Sequence, residues 1–423
     1  MESLATDVDF RNPESAVNAA SARQTFARSL QALFWVALML GASGAAYRIA
    51  PDNFERYVWA AIDLTLVGAY LTRSDLIALA MRNKLLLSWS ALAIVSSLWS
   101  LSPTVSVYHG LQLFMTVSFG LLFALRFNRV TALKLLYVAL LLAAVLALVL
   151  NLAMPLQTTG WQGAWMGGFS HKNTLGGAMA LLLVTAVCLW LSGHWRVVTG
   201  AGIILAGLLL MLSRSGTALL AVVVSLSPLP MVAALRQGRG AFAAVAGILS
   251  FAAAGGAAYF GFLDIDPVST TLAFLGKDDT LTGRTVLWDL GTQAFQSRPL
   301  LGHGFKGYWE GELAGVQNLR FLIGSDVSIF HNNFMEVAVA FGLIGPIMLV
   351  AGLLQALGRS VAIFATSLSY TAAWPLSFTL LCVCMCISEN PLFHNHSFLQ
   401  FLLAFAIART DPQPCDMDRR SRG

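Results

Sequence analysis

Runs of about twenty apolar residues, separated by short polar connections, fill most of this 423-residue chain. Each run is near the length a helix needs to cross the roughly 30 Å hydrocarbon core of a bilayer. In lipid only helices and closed barrels can satisfy every backbone N–H and C=O. The runs therefore predict an all-α polytopic membrane protein with about 12 transmembrane helices. In order they are Leu30–Tyr47, Tyr57–Leu71, Leu85–Leu101, Val105–Leu125, Thr131–Ala153, Thr174–Ser192, Val197–Leu212, Ser215–Leu235, Ala241–Phe262, Asn333–Leu357, Ser367–Ile387 and Ser397–Ile407. Composition agrees: 57% of residues are hydrophobic and 11% charged, against about 25% charged in a soluble domain. That balance excludes a string of soluble domains.

One stretch breaks the pattern. Residues 263–332 gather Asp, Lys, Arg, Glu and His between the ninth and tenth runs, where no bilayer would accept them. A connection of this length is far above the usual 4–6 residues and is functional or disordered as a rule. Trp288, Phe295, Tyr308, Trp309 and Phe321 make it too aromatic for disorder, so a folded cap over a membrane-surface site is expected. The organisation is then a cytoplasmic tail at 1–28, a membrane domain at 29–408 holding the large loop at 263–332, and a cytoplasmic tail at 409–423.

Twelve passes put both termini on one side. Lys and Arg divide about two to one in favour of the side that carries the N-terminus, and basic residues in short loops orient spans with that side in the cytoplasm. Residues 1–28 lack the short basic n-region of a secretory signal, so the first run is expected to stay as a span. The large loop then faces outward, away from ATP and sugar nucleotides. The net charge of +5 is scattered among loops and indicates no nucleic-acid partner. Cys382, Cys384 and Cys386 alternate within one apolar run and read as small buried hydrophobes; no disulfide framework or zinc spacing is present.

The chemistry on the outer face is limited. There is no Walker-type phosphate loop, HExxH or GxSxG elbow. GHGFKG, Gly302 to Gly307, follows no predicted strand and reads first as a turn, although His303 and Lys306 within it remain candidate substrate contacts. Asp278 and Asp279 are a candidate divalent-ion pair, but adjacent loop carboxylates are more often solvated. What remains is a set of cations with candidate bases. Lys172 and Arg214 end apolar runs in the polar clusters GFSHKNTLGG and LSRSGT, and Arg284 opens GRTVLW. A guanidinium presents a planar donor fork suited to phosphate oxygens, so Arg214 and Arg284 suit a diphosphate and its departure with extra charge. A lone Arg at a membrane boundary also snorkels to headgroups without any further role. His331 starts HNNF before the tenth run, and an imidazole, as a side chain that changes charge near neutral pH, suits proton abstraction from a hydroxyl. His171 is a competing base and Glu336 and Glu389 are carboxylate competitors.

At these residues the sequence resembles a known family. GFSHKNTLGG, SRSGT, GRTVLW with RPLLGHGFKGYW, and HNNFMEVAVAFGLIG resemble, in this order and spacing, the O-antigen ligase and polymerase superfamily of bacterial envelopes (Wzy/WaaL-like). SHKN together with GRT-x-LW is most like its exopolysaccharide polymerases of the ExoQ type. The resemblance covers roughly Gly167 to Pro346 and implies a metal-independent, inverting glycosyl transfer with no cofactor. It implies a glycan donor on undecaprenyl diphosphate and an acceptor glycan or glycolipid, at the periplasmic face of the bacterial inner membrane. A flippase and a chain-length regulator are the pathway partners it implies. Arg214 and Arg284 would be the diphosphate contacts, His331 the base or acceptor-orienting residue, and Lys172 a further phosphate contact. A polysaccharide polymerase is the expected function, with ligation to lipid A core or protein as the near alternative. The rival from another class is a transporter, such as a flippase for the same lipid-linked glycan; such proteins often show internal repeats and broken mid-membrane helices. No convincing repeat is found here.

Overall fold

The computed structural model describes residues 13–408 except 52, 161–162, 249–283, 312, 324–327 and 368. Among these residues the fold is all-α, with no strand and one isolated bridge between Thr159 and Trp165. Seven helices are long and apolar enough to cross a membrane: Thr25–Ala42, Pro103–Arg126, Arg129–Ala153, Lys172–Leu191, Gly216–Gln237, Ile344–Thr366 and Tyr370–Ser388. Phe54–Thr72 joins Ser74–Arg82 through a 102° bend and raises the count to eight if the pair is one span. Lys84–Leu98, Arg196–Leu212, Arg239–Ile248 and Phe398–Ala408 are apolar but shorter. Helix therefore occupies each expected run, while length and composition stop short of the expected twelve spans. The ninth run continues past Ile248, outside the described residues.

The bundle is held as membrane bundles are, by close packing rather than by escape from water. The Lys172–Leu191 helix packs on Arg196–Leu212, Gly216–Leu226 on Tyr370–Ser388, and Phe398–Ala408 on Pro103–Arg126. A stack of Trp35, Phe119 and Phe401 fills one part of the core, with centroids 5.1 and 4.6 Å apart. Trp374 buries its indole and donates to Thr185 Oγ1 at 3.0 Å, so the one polar atom it carries into the core is satisfied. Leu64, Leu71, Val197 and Ile204 stay exposed on the outside of the bundle, the pattern expected of residues that face lipid.

One break matters for the site. The tenth run, expected to be one helix, is two: Asn333–Phe341 and Ile344–Thr366. Gly342 between them has φ +62°, and a Cβ there would strike the Leu300 carbonyl. Gly302, φ +68°, approaches the Ala340 backbone from the other side. Leu343 N–H donates to Pro299 O at 2.8 Å, and the His303 and Gly304 N–H groups each donate at 2.9 Å, to Val339 O and Ala340 O. The GHGFKG stretch is thus a turn that docks the loop onto a broken helix. Left-handed backbone of this kind is cheap only for glycine.

The described part of the large loop is folded. Helices Arg284–Ser297 and Ala314–Ile323 close over a small core that includes Leu287, Tyr308, Trp309, Val316 and Phe330. Residues 263–283, with Asp278 and Asp279, lie outside the described residues.

A carboxylate-centred cluster at one end of the bundle

Four segments far apart in the chain meet at Glu389, the residue that ends the Tyr370–Ser388 helix. Its Oε1 accepts from Arg284 Nη2 at 2.8 Å and from Asn173 Nδ2 at 2.6 Å, and its Oε2 lies 3.2 Å from His331 Nδ1. The His171 and His331 rings are 6.4 Å apart, and Lys172 lies within electrostatic reach of both Arg284 and Arg214. His171, Lys172, Arg214, Arg284 and His331, named from their motifs, therefore share one end of the bundle. Burial alone would push the Glu389 carboxyl up, but the His331 hydrogen bond and the charges of His331 and Arg284 outweigh it and hold the group below the ordinary glutamate value. It is ionised near neutrality.

Local sequence explains how each member is placed. Gly176 lets the Lys172 helix close on the SRSG turn, since a Cβ there would lie 2.7 Å from Ser215 Cβ and 3.1 Å from Ser213 Oγ. Lys172 and Arg214 are neighbours for that reason. Arg48 donates to Phe169 O at 2.8 Å and Ser170 O at 2.9 Å and so fixes the turn that carries His171. His171 N-caps its helix through Nδ1, which accepts from Asn173 N–H at 3.3 Å.

His331 is held against a conformational cost. It sits in the left-handed region at φ +51°, as does Arg214, and non-glycine residues there need strong support. The support is a clamp on the preceding residue: Phe330 N–H donates to Glu336 Oε2 and Trp288 Nε1 donates to Phe330 O, both at 3.0 Å. The rest of the HNN motif is accounted for in the same way. Asn332 caps the next helix by accepting from Met335 N–H at 3.0 Å, and Asn333 Oδ1 accepts from Leu392 N–H at 2.8 Å, which pins the loop after Glu389.

His303 and Lys306 are not brought to Glu389. His303 is 5% exposed and its Nε2 lies 3.0 Å from Ala294 O, so it ties the GHGFKG turn to the Arg284–Ser297 helix. Lys306 Nζ lies 3.0 Å from His394 Nε2, in a second polar group with Glu336 and Glu310 within electrostatic reach. The sequence marks Glu389 only as a carboxylate competitor to His331 and marks Asn173 only by its place in SHKN.

This end of the bundle offers a half-exposed imidazole (27% of the side chain) against a carboxylate and a guanidinium that are 14% and 12% exposed. With Nδ1–H donating to the carboxylate, His331 Nε2 is free to take a proton. The neighbouring cations suit a phosphate-bearing ligand.

Residues 201–350 match the family model described as Wzy_C, O-Antigen ligase. Arg214, Arg284 and His331 fall inside that stretch, and Lys172 and Glu389 outside it. Over 287 residues, 64% of its length, the chain is 31% identical to the Exopolysaccharide production protein ExoQ of Rhizobium meliloti (strain 1021); the match spans 63% of that relative's length, less than two thirds. The fold, the motifs and these two matches make the chain similar to the O-antigen ligase and ExoQ-type family.

Proposed function

We propose that this protein is a polysaccharide polymerase that transfers a glycan from undecaprenyl diphosphate to a hydroxyl of an acceptor glycan, at the periplasmic face of the bacterial inner membrane. The observation that carries the proposal is the meeting of Arg284 and His331 on the two oxygens of one carboxylate, with Lys172 and Arg214 alongside. In the proposed step the acceptor oxygen forms a bond to the anomeric carbon as the bond from that carbon to the diphosphate breaks. The electron pair leaves with the diphosphate, and the hydroxyl proton passes to His331 Nε2. Attack opposite the leaving group inverts the centre. Arg284, Arg214 and Lys172 stabilise the departing charge, and Glu389 orients the imidazole and stabilises its charged form, as a carboxylate does behind a histidine base. A diphosphate is acidic enough to leave without the paired carboxylates of a glycosidase.

The glycan profile of a deletion strain tests the reading. Accumulated single repeat units are the expected result, whereas intact polymer left unattached would make the protein a ligase instead. A flippase would leave repeat units on the cytoplasmic leaflet. Transfer by the purified protein should survive EDTA, because cationic side chains take the place of a metal clamp; loss on EDTA with rescue by magnesium would shift the role to Asp278 and Asp279. For orientation, a periplasm-dependent reporter fused after Gly283 should be active and one fused after Gln237 silent. The reverse pattern would put the cluster on the wrong side for this chemistry.

A further inference from the structure

A cavity of about 390 Å³ opens beside the cluster, and Asn173 and Glu389 belong to both. Its size is that of a small-ligand site. Its walls come from the start of the second apolar helix, with Glu55 and Trp59, from the Lys172 helix, and from the loop that follows Glu389. No Lys or Arg is among the described residues that line it, although three cations stand just beyond Glu389. Glu389 is thus the border between a cationic side and an acidic one. Glu55 makes no hydrogen bond or ion pair among the described residues. The His396 ring is stacked on Trp59, with centroids 4.6 Å apart and planes 6° apart.

These features decide between ligand classes. A diphosphate entering here would meet two carboxylates and no cation. An isoprenoid chain would cover the Glu55 and Glu389 carboxylates and satisfy neither, which is costly. A sugar ring supplies hydroxyls that donate to the carboxylates, and it offers C–H faces to apolar walls such as Leu181 and Met385. We propose that the cavity is the acceptor subsite, that it takes a neutral or amino sugar in preference to a uronic acid, and that Glu55 is its specificity-determining residue. The proposal rests on the glycosyl-transfer reading above and adds where the acceptor sits. A sugar held there has a hydroxyl beside Glu389, within the neighbourhood of His331, while the diphosphate occupies the cationic side.

The test uses the full chain in lipid nanodiscs and two probes. One is the repeat oligosaccharide released by mild acid from the polysaccharide of the producing strain, and the other is undecaprenyl diphosphate. Glu55→Gln should weaken the oligosaccharide by about tenfold or more, the scale of losing one hydrogen bond to a charged group, and leave undecaprenyl diphosphate within about twofold. Ala178→Phe, which fills the cavity from the Lys172 helix, should do the same, and Glu55→Asp should keep most of the affinity. Wild-type oligosaccharide affinity in both Glu55→Gln and Ala178→Phe would overturn the proposal. So would loss of undecaprenyl diphosphate with the oligosaccharide untouched, which would make the cavity a lipid site. If Glu55→Gln folds poorly, Ala178→Phe and Glu55→Asp carry the comparison. Transfer that requires Arg284 but is indifferent to filling the cavity would leave the reaction standing and this subsite fallen. A wild-type protein that binds the oligosaccharide and transfers nothing from the lipid-linked donor would instead remove the reaction on which the subsite depends.

Discussion

Lys172 and Lys306 look alike in the sequence. Each lies in a short, glycine-rich polar motif beside a histidine-containing turn, and each is a candidate phosphate contact. The structure gives them opposite surroundings. Lys172 feels the like charges of Arg284 and Arg214, whereas Lys306 feels the opposite charges of Glu336 and Glu310 and sits 3.0 Å from His394 Nε2. Burial and the Lys306 charge push the His394 imidazole down to about 3, so it is neutral near pH 7 and accepts from the ammonium. One lysine belongs to a cationic group suited to an anion that arrives; the other is already balanced by the protein. Like charges held together cost folding energy, which a protein carries where a ligand repays it, and matched charges reduce that cost. The environment, not the residue type, separates a cation set among like charges from one matched by carboxylates.

The largest expected effect lies on the cationic side. His331→Ala should lower transfer by about 10²–10⁴-fold, the usual worth of a general base, with donor affinity little changed. Ordinary turnover in that variant would hand the role to His171 or Glu389. Arg284→Lys keeps the charge and loses the fork, so transfer should fall by about 10²–10³-fold while the protein inserts normally. The same direction is expected for Arg214→Lys. Wild-type rates in both would make these arginines membrane anchors.

The two lysines themselves give the sharpest contrast. Lys172→Met should raise the donor KM about tenfold, the scale of one charge-assisted contact, without lowering Tm, because it removes a charge from among like charges. Lys306→Met should leave the donor KM alone and lower stability by about 1–3 kcal/mol, since Glu336 loses its compensating charge. An exchange of these outcomes would reverse the assignment of the two regions. The smallest effect concerns pH. The Glu389 carboxyl is held below the ordinary glutamate value of 4.5, so its stabilisation is present above that pH and disappears as pH falls through the depressed folded value. The Tm difference between wild type and Glu389→Gln should therefore be full at pH 7 and shrink toward zero in acid. A difference that grows in acid would mean the carboxyl is not ionised in the folded state.

Much of this was legible before any coordinates. The length of the apolar runs demands helices, because a bilayer offers no partner for an open backbone, and among the described residues each run carries helix. The motif cations and histidines were recognisable as types, and His171, Lys172, Arg214, Arg284 and His331 are neighbours in space. Span length was less legible. The Asn333–Leu357 run looks continuous by hydropathy, yet Gly342 ends one helix and Ile344 starts another, because the Leu300 backbone occupies the space that a side chain would need.

The chain by itself determined a membrane-spanning helical protein and the kinds of charge set at its polar segments, since both follow from local rules of burial and periodicity. Tertiary structure alone decided that Glu389 is the centre of the cluster. It stands 105 residues from Arg284, 58 from His331 and 216 from Asn173, and no spacing rule connects positions so distant. The fold also decided that His303 and Lys306 belong elsewhere, and that a cavity free of Lys and Arg among its described lining opens beside the cations. Hydrogen bonding and Coulomb energy depend on distances that only the packed helices set.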